Sequence, residues 1–270
     1  MIKQLILITL TLLAIENVKA QTGDLIIIGT VHEPMPNFNA DSLLNILEKL
    51  NPDILLQEVD SSFLTKDFKY KSVWNENEVM ATVRYVDKHP ETLIRPFEFE
   101  GRNSYKSQRG ISQAETPADK LLDSLFGTNE LSRRHKKIVE RYKKLTDSLV
   151  SLAHRSPYCL NNSRTDDLAR QRQFYQHHKI RKIVNERKEF TERFVKTSNN
   201  ELITLREGYN RICDFWDLRN KTMAKNIYKM MVLYPDKKMV VLTGFFHRYY
   251  LIEELRKLNK NINIVEFYNE

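Results

Sequence analysis

Asp24-Leu-Ile-Ile-Ile-Gly29-Thr30-Val31-His32-Glu33 is a short apolar run that ends in Gly-x-x-His. Near the other end of the chain, Lys238-Met-Val-Val-Leu-Thr-Gly244-Phe245-Phe246-His247 repeats the arrangement. Between them, Asp53-Ile-Leu-Leu-Gln57-Glu58 is a third apolar run, closed by an acid. Runs of four to six aliphatic residues bounded by turn signals read as buried strands. In open α/β sheets, ligands collect outside the carboxyl ends of the strands. Two imidazoles and one carboxylate are therefore each predicted at the carboxyl end of a strand. Gly29 and Gly244 are read as structural turns that let the backbone bend and a ligand come close.

The rest of the chain builds a frame around these runs. Asn39 or Asp41 can cap a helix with Leu43, Leu44, Leu47 and Leu50 on its inner face, and Asn51-Pro52 stops it. This strand–helix–strand unit predicts that the first two strands are parallel neighbours joined by a right-handed crossover. A short helix is expected over 77–87 and a third strand over 92–97, with Pro96 placing it at an edge. Glu98, Glu100 and Arg102 then fall on the rim of the same cleft.

From about residue 114 to 153 the chain is charged and helical, with Ile138, Tyr142, Leu145, Leu149 and Leu152 in a heptad-like seam. A second helical stretch continues over about 165–195, with Leu168, Tyr175, Ile183 and Phe194 facing inward. The fold class expected is α/β: a mixed, mostly parallel central sheet flanked by helices. A long helical hairpin is inserted at about 114–200 of a single domain, 21–270. Arg133-Arg-His-Lys-Lys137 and His177-His178-Lys179 are read as solvated faces, because adjacent histidines on a helix point in different directions.

The helix expected over 209–234 carries a stripe of Ile212, Trp216, position 219, Met223, Ile227 and Met230, and position 219 is arginine. An unpaired buried charge is costly, so Arg219 needs an anion. Glu58, Asp60 and a substrate oxyanion are the candidates; an internal ion pair that pins the helix to the sheet is the alternative. After the last Gly-x-x-His, Leu251, Ile252, Leu255 and Leu258 face inward from a helix, and 261–267 is a final strand. His247 near a helix start is expected to be neutral, since a helix amino end disfavours positive charge.

Composition sets the outer limits. The 270 residues are 41% hydrophobic and 29% charged, suiting a globular chain, and Lys plus Arg (43) exceed Asp plus Glu (35) for a net charge of +8. The excess lies in the helical middle, and no nucleic-acid-binding motif accompanies it. Lys3, the apolar stretch Leu5–Ala14 and Val18-Lys19-Ala20 have the layout of a signal peptide over 1–20. This predicts export, to the periplasm or beyond, with no membrane span after cleavage. Cys159 and Cys213 can pair after export or remain free; their spacing does not decide.

Two neutral histidines and one carboxylate are the ligand set of many catalytic metal sites with a position left for water. His32, Glu58 and His247 would supply it, with Glu33 as further ligand or base and Arg219 stabilising an oxyanion. Without a metal, one histidine acts as general base, Glu58 orients it and Arg219 binds the anionic intermediate. The bland alternative is that each histidine merely caps a strand.

At these residues the chain resembles the TraB/PrgY/Tiki superfamily, which groups with erythromycin-esterase-like and ChaN-like haem-binding proteins. The resemblance rests on Gly29-Thr-Val-His32, Gln57-Glu58, Arg219-Asn220-Lys-Thr-Met223-Ala224 and Gly244-Phe-Phe-His247. It covers roughly 24–60 and 212–258 and leaves out the helical middle. It implies an α/β domain with a site between pseudo-repeated halves, with Arg219 and Asn220 among the site residues. It also implies a hydrolase, in some members a metal-dependent peptidase using manganese or cobalt; zinc fits the same donors. Other members sequester peptides. A non-catalytic envelope protein that holds a haem, peptide or anion, with Phe245 and Phe246 beside a flat ligand, is the second expectation. Phe245 and Phe246 stand where small residues are common in that family.

Overall fold

The structure is a computed structural model that describes residues 23–268. The expected leader, residues 1–20, lies outside the described residues. In chain order the elements begin β1 (Leu25–Thr30), α1 (Ala40–Leu50), β2 (Ile54–Gln57), α2 (Asn77–Lys88) and β3 (Leu93–Pro96). The helical middle comes next: α3 (Arg102–Gln108), α4 (Ile111–Gly127), α5 (Arg133–Ala153), α6 (Pro157–Leu160), α7 (Ser163–Phe174), a π turn over Tyr175–Ile180, and α8 (Arg181–Glu186). A ribbon of β4 (Phe194–Lys196) and β5 (Leu202–Thr204) leads into α9 (Leu205–Leu233), then β6 (Met239–Gly244), α10 (Phe245–Leu258) and β7 (Ile264–Val265).

The central sheet runs β3-β2-β6-β1-β7, and every pairing in it is parallel. The antiparallel component sits apart, in the β4–β5 ribbon. The α/β class with helices flanking a parallel sheet is as the sequence predicts, and β3 with Pro96 lies at an edge. One expectation fails: β1 and β2 are parallel but not neighbours. β6 lies between them, paired Thr30 to Gly244 on one side and Gln57 to Leu242 on the other. The strand encoded last but one thereby becomes the middle of the sheet, and its carboxyl end sits between those of β1 and β2.

The central strands are buried on both faces, which suits a parallel sheet covered by helices. Along β1, Ile26 and Ile28 join a core with α1 and α2, while Leu25 and Ile27 join a core with α9 and α10. That is the two-residue period of a strand serving two layers. Each such fully buried aliphatic side chain contributes on the order of 1.5–3 kcal/mol. The helix α1 is held at both ends: Asn39 and Ser42 form a capping box, and Asn51 closes it in the left-handed region at φ 44°.

The middle of the chain is more than a hairpin. α4, α5, the π turn and α8 pack with the first half of α9 around Leu121, Leu125, Val139, Ile183, Phe190 and Tyr209, while α7 packs on α5 and α10. Phe194, expected inward on a helix, is instead 55% exposed in the β4–β5 ribbon. With 29 residues, α9 is about 43 Å long. Its first half serves this helical cluster, and its second half lies on the sheet through Met223, Ala224, Ile227 and Met231. Arg219 stands where the two meet. Among the described residues no helix is long and apolar enough to cross a membrane. Cys159 and Cys213 are both unpaired.

Candidate functional site

β6 ends at Gly244, and α10 begins at the next residue. Glu58, leaving the end of β2, reaches across to this point. Its Oε2 accepts the Gly244 amide at 2.8 Å and the Thr243 hydroxyl at 2.5 Å. From the other side His32 arrives after β1. A Cβ placed on Gly244 would lie 3.2 Å from His32 Nε2 and 3.6 Å from His247 Cδ2. The absent side chain is what lets two imidazoles from distant parts of the chain approach one point. The sequence puts His32, Glu58 and His247 each after the carboxyl end of a strand, and β2, β6 and β1 lie side by side in the sheet.

Their chemistry differs from the predicted metal tripod. Arg219 lies over Glu58 and His247. Its Nε donates to Glu98 Oε1 at 2.9 Å, its Nη1 to His247 Nε2 at 2.7 Å, and its Nη2 to both Glu58 and Glu98. On the other edge of the imidazole, Nδ1 lies 2.7 Å from the Asn220 oxygen, whose amide nitrogen is committed to the Trp216 carbonyl. This fixes the tautomer: Nδ1–H donates to Asn220 and Nε2 accepts from Arg219. Trp216 stacks on the ring at 4.5 Å.

His247 therefore has no lone pair to give a metal or a haem, and a guanidinium stands where the cation would go. Glu58 Oε1 lies 3.7 Å from His247 Nε2, but ligand atoms of all three residues, His32 included, are not all within 4.8 Å of one another. Burial is the main cause holding His247 down at about 3, with Arg219 acting in the same direction against the pull of Glu58. The ring is neutral as expected, for a reason other than the helix end. Burial would raise the Glu58 carboxyl. His247 when protonated, Arg219 and the Thr243 hydroxyl outweigh it and hold Glu58 well below the usual carboxylate range. Burial opposes the charge on Arg219, but Glu58 and Glu98 keep it firmly protonated. Of the two partners proposed for Arg219 within the chain, Glu58 is one; Asp60 instead caps Ser62 and Gly101. Four of the guanidinium's five N–H groups are spent on this cluster. Arg219 and Asn220 thus act on His247 as a clamp rather than on a substrate oxygen.

The open side of Gly244 is different. Asn77, at the start of α2, donates from its side chain to the carbonyls of Val31 (2.7 Å), Glu33 (3.1 Å) and Phe38 (3.2 Å), and its amide donates to the His32 carbonyl at 2.9 Å. This pins the loop after β1 onto α2 and brings His32 Nδ1 to 3.0 Å from Glu78 Oε1. The Thr30 hydroxyl also lies on Glu78 Oε1 and 2.9 Å from the Thr243 carbonyl. Glu78 Oε2 is buried with no partner. Glu76, half-buried, completes a group in which one ligand atom each from His32, Glu76 and Glu78 lie within 4.8 Å of one another. The hydrogen bond to Glu78 is the largest influence on His32 and raises it to about 9, although the side chain is 52% exposed.

The other residues expected at the site lie elsewhere or act differently. Glu33 is exposed and lies outside the His32–Glu76–Glu78 group. Gly29 makes no turn. It lies inside β1, where a Cβ would meet the Phe245 backbone at 3.0 Å, and it is needed for the close approach of α10. Glu98, expected on a rim, is buried beneath Arg219. Glu76, Glu78 and His177 went unnoticed as site residues in the sequence. Two acids flanking a helix start are a signal for the first pair, but a weak one.

No family model matches the chain, and no curated protein matches it. Among solved structures it is similar to an erythromycin esterase mutant, EreC, in its open conformation, at 10% identity and a TM-score of 0.30. That match covers 83% of this chain and 61% of the other, so the chain spans about three fifths of that protein's length. A likeness this faint carries no argument about activity.

Proposed function

We propose that this chain is a hydrolase whose reacting centre is the His32–Glu76–Glu78 rim beside Gly244, with a divalent cation as its cofactor. The carrying observation is the orphaned Glu78 Oε2. A buried carboxylate oxygen without a partner is costly, and Glu78 belongs to the one cluster of the described residues able to hold an ion. One imidazole, its proton displaced by the ion, and two carboxylates suit manganese, cobalt or zinc. When bound, such an ion supplies a Lewis acid and a water activated at neutral pH. The chain's own residues do the rest. Thr30 orients Glu78, Asn77 fixes the His32 loop, and His32 presents Nε2 toward Gly244. The Arg219 clamp keeps His247 neutral and stacked, forming a rigid wall on the far side of Gly244.

The substrate class in this reading is a peptide or another small acyl compound, reached in an exported protein; the resemblance and the leader composition support it. The test loads purified protein with manganese, cobalt or zinc and tracks hydrolysis of short peptides and aryl esters. Metal-stimulated turnover that is lost in Glu78→Gln, with the circular dichroism spectrum unchanged, is expected. Turnover indifferent to both metal and Glu78→Gln would overturn the proposal.

A further inference from the structure

On the helical side of the Arg219 cluster lies a cavity of about 290 Å³. Ile111, Ile212 and Phe215 give it an apolar lining, and Phe246 closes one side. Three of its cations are already neutralised: Arg219 by Glu58 and Glu98, Arg102 by Glu98 at 3.2 Å, and Lys106 by Glu115 at 3.1 Å. The fourth is not. Arg172 has no carboxylate within 4 Å among the described residues. Its hydrogen bonds go to neutral groups, the side chains of Gln173, Gln176, Tyr142 and Thr146, and its guanidinium lies 4.7 Å from the rings of both Tyr142 and Phe246.

The same cavity is lined by His177, which is 6% exposed and has no partner on either ring nitrogen. Burial, with Arg172 acting in the same direction, holds this imidazole at about 3, so it is neutral and carries one N–H to give. It stacks on Trp216 at 5.1 Å. The helix bearing it widens to a π turn over Tyr175–Ile180, a rare feature found frequently at functional sites. A guanidinium with no ion pair, Asp119 acting on it only at longer range, and a buried unpaired imidazole line one cavity, and a compact oxyanion would satisfy both.

We propose that this cavity binds a small organic carboxylate, its charge on Arg172 and the His177 N–H, its apolar body against Ile111, Ile212 and Phe215. Four of the five Arg172 N–H groups are held by Thr146, Gln173, Gln176 and Tyr142, so its remaining Nη2 N–H would meet one carboxylate oxygen and the His177 N–H the other. The site stands whether or not the rim is catalytic, since it shares Arg219 and Trp216 with the His247 clamp and no residue with the His32–Glu76–Glu78 rim.

The experiment is calorimetric titration of the full chain with benzoate, with its uncharged isostere benzamide, and with inorganic phosphate. Benzoate is expected to bind and benzamide not. Arg172→Gln and His177→Phe are each expected to weaken benzoate by about tenfold or more. His177→Phe keeps the stack on Trp216, and thermal unfolding checks that each variant folds. Three results would overturn the proposal: no benzoate binding at about 5 mM, equal binding of benzoate to both folded variants, or phosphate binding as tightly as benzoate. The last would show that charge alone is read.

Discussion

The two Gly-x-x-His segments share a spacing and end in opposite states. After the first, Pro34 and Pro36 forbid an immediate helix, and Asn77 pins the loop so that His32 stays half exposed against Glu78. After the second, α10 begins at once and carries His247 inward, beneath Trp216 and Arg219. One imidazole is held charged at about 9, the other neutral at about 3. The shared pattern places an imidazole at the end of a strand. The residues after the glycine, loop in one case and helix in the other, decide whether it joins an accessible rim or a buried clamp.

The sharpest way to break this comparison is to remove the clamp. Arg219→Met leaves Glu58 and Glu98 buried without their countercharge, and loss of one partner of a buried pair costs about 3–5 kcal/mol. Urea unfolding should show a midpoint far below wild type. A change of under about 1 kcal/mol would mean the cluster is solvated.

Acid tests the same region without mutation. His247 and His177 have folded values of about 3, below the roughly 6.5 of an unfolded histidine. As pH falls from 6.5 the unfolded chain takes up protons that the folded chain refuses. Stability present above pH 6.5 is therefore lost between there and 3, at about 1.4 kcal/mol per pH unit for each ring. The thermal midpoint, measured from pH 7 to 4, should show this slope, reduced in His177→Phe. A flat profile would show the rings to be hydrated.

Smaller effects belong to the rim. Gly244→Ala sets a Cβ 3.2 Å from His32 Nε2. The half-exposed ring can yield, so the stability cost is about 1 kcal/mol or less, while metal-stimulated turnover falls. His32→Ala should cost about 1 kcal/mol, because the imidazole is half exposed and Thr30 still donates to the buried Glu78.

Much of this was legible in the sequence, and for local reasons. Apolar runs of the right length read as strands. The stripe interrupted at position 219 read as a buried arginine in need of an acid, and it finds Glu58, as expected among the candidates, together with Glu98. The features that escaped depended on contacts that no local pattern encodes. The order of strands in a sheet is set by tertiary packing, so β6 between β1 and β2 was invisible. Glu78 meets His32 only because Asn77 ties a loop to α2. His177 was misread because its neighbours His178 and Lys179 are polar, while its own ring is turned under Trp216 by a π turn that leaves no periodic trace.

On this reading the ion-holding side of Gly244 is the His32 rim, and the His247 side is a clamp. Manganese binding, measured by electron paramagnetic resonance on folded Glu78→Gln and Glu58→Gln proteins, tests that division most directly. Glu78→Gln is expected to lose the bound ion while Glu58→Gln keeps it. An ion retained in Glu78→Gln and lost in Glu58→Gln would contradict it.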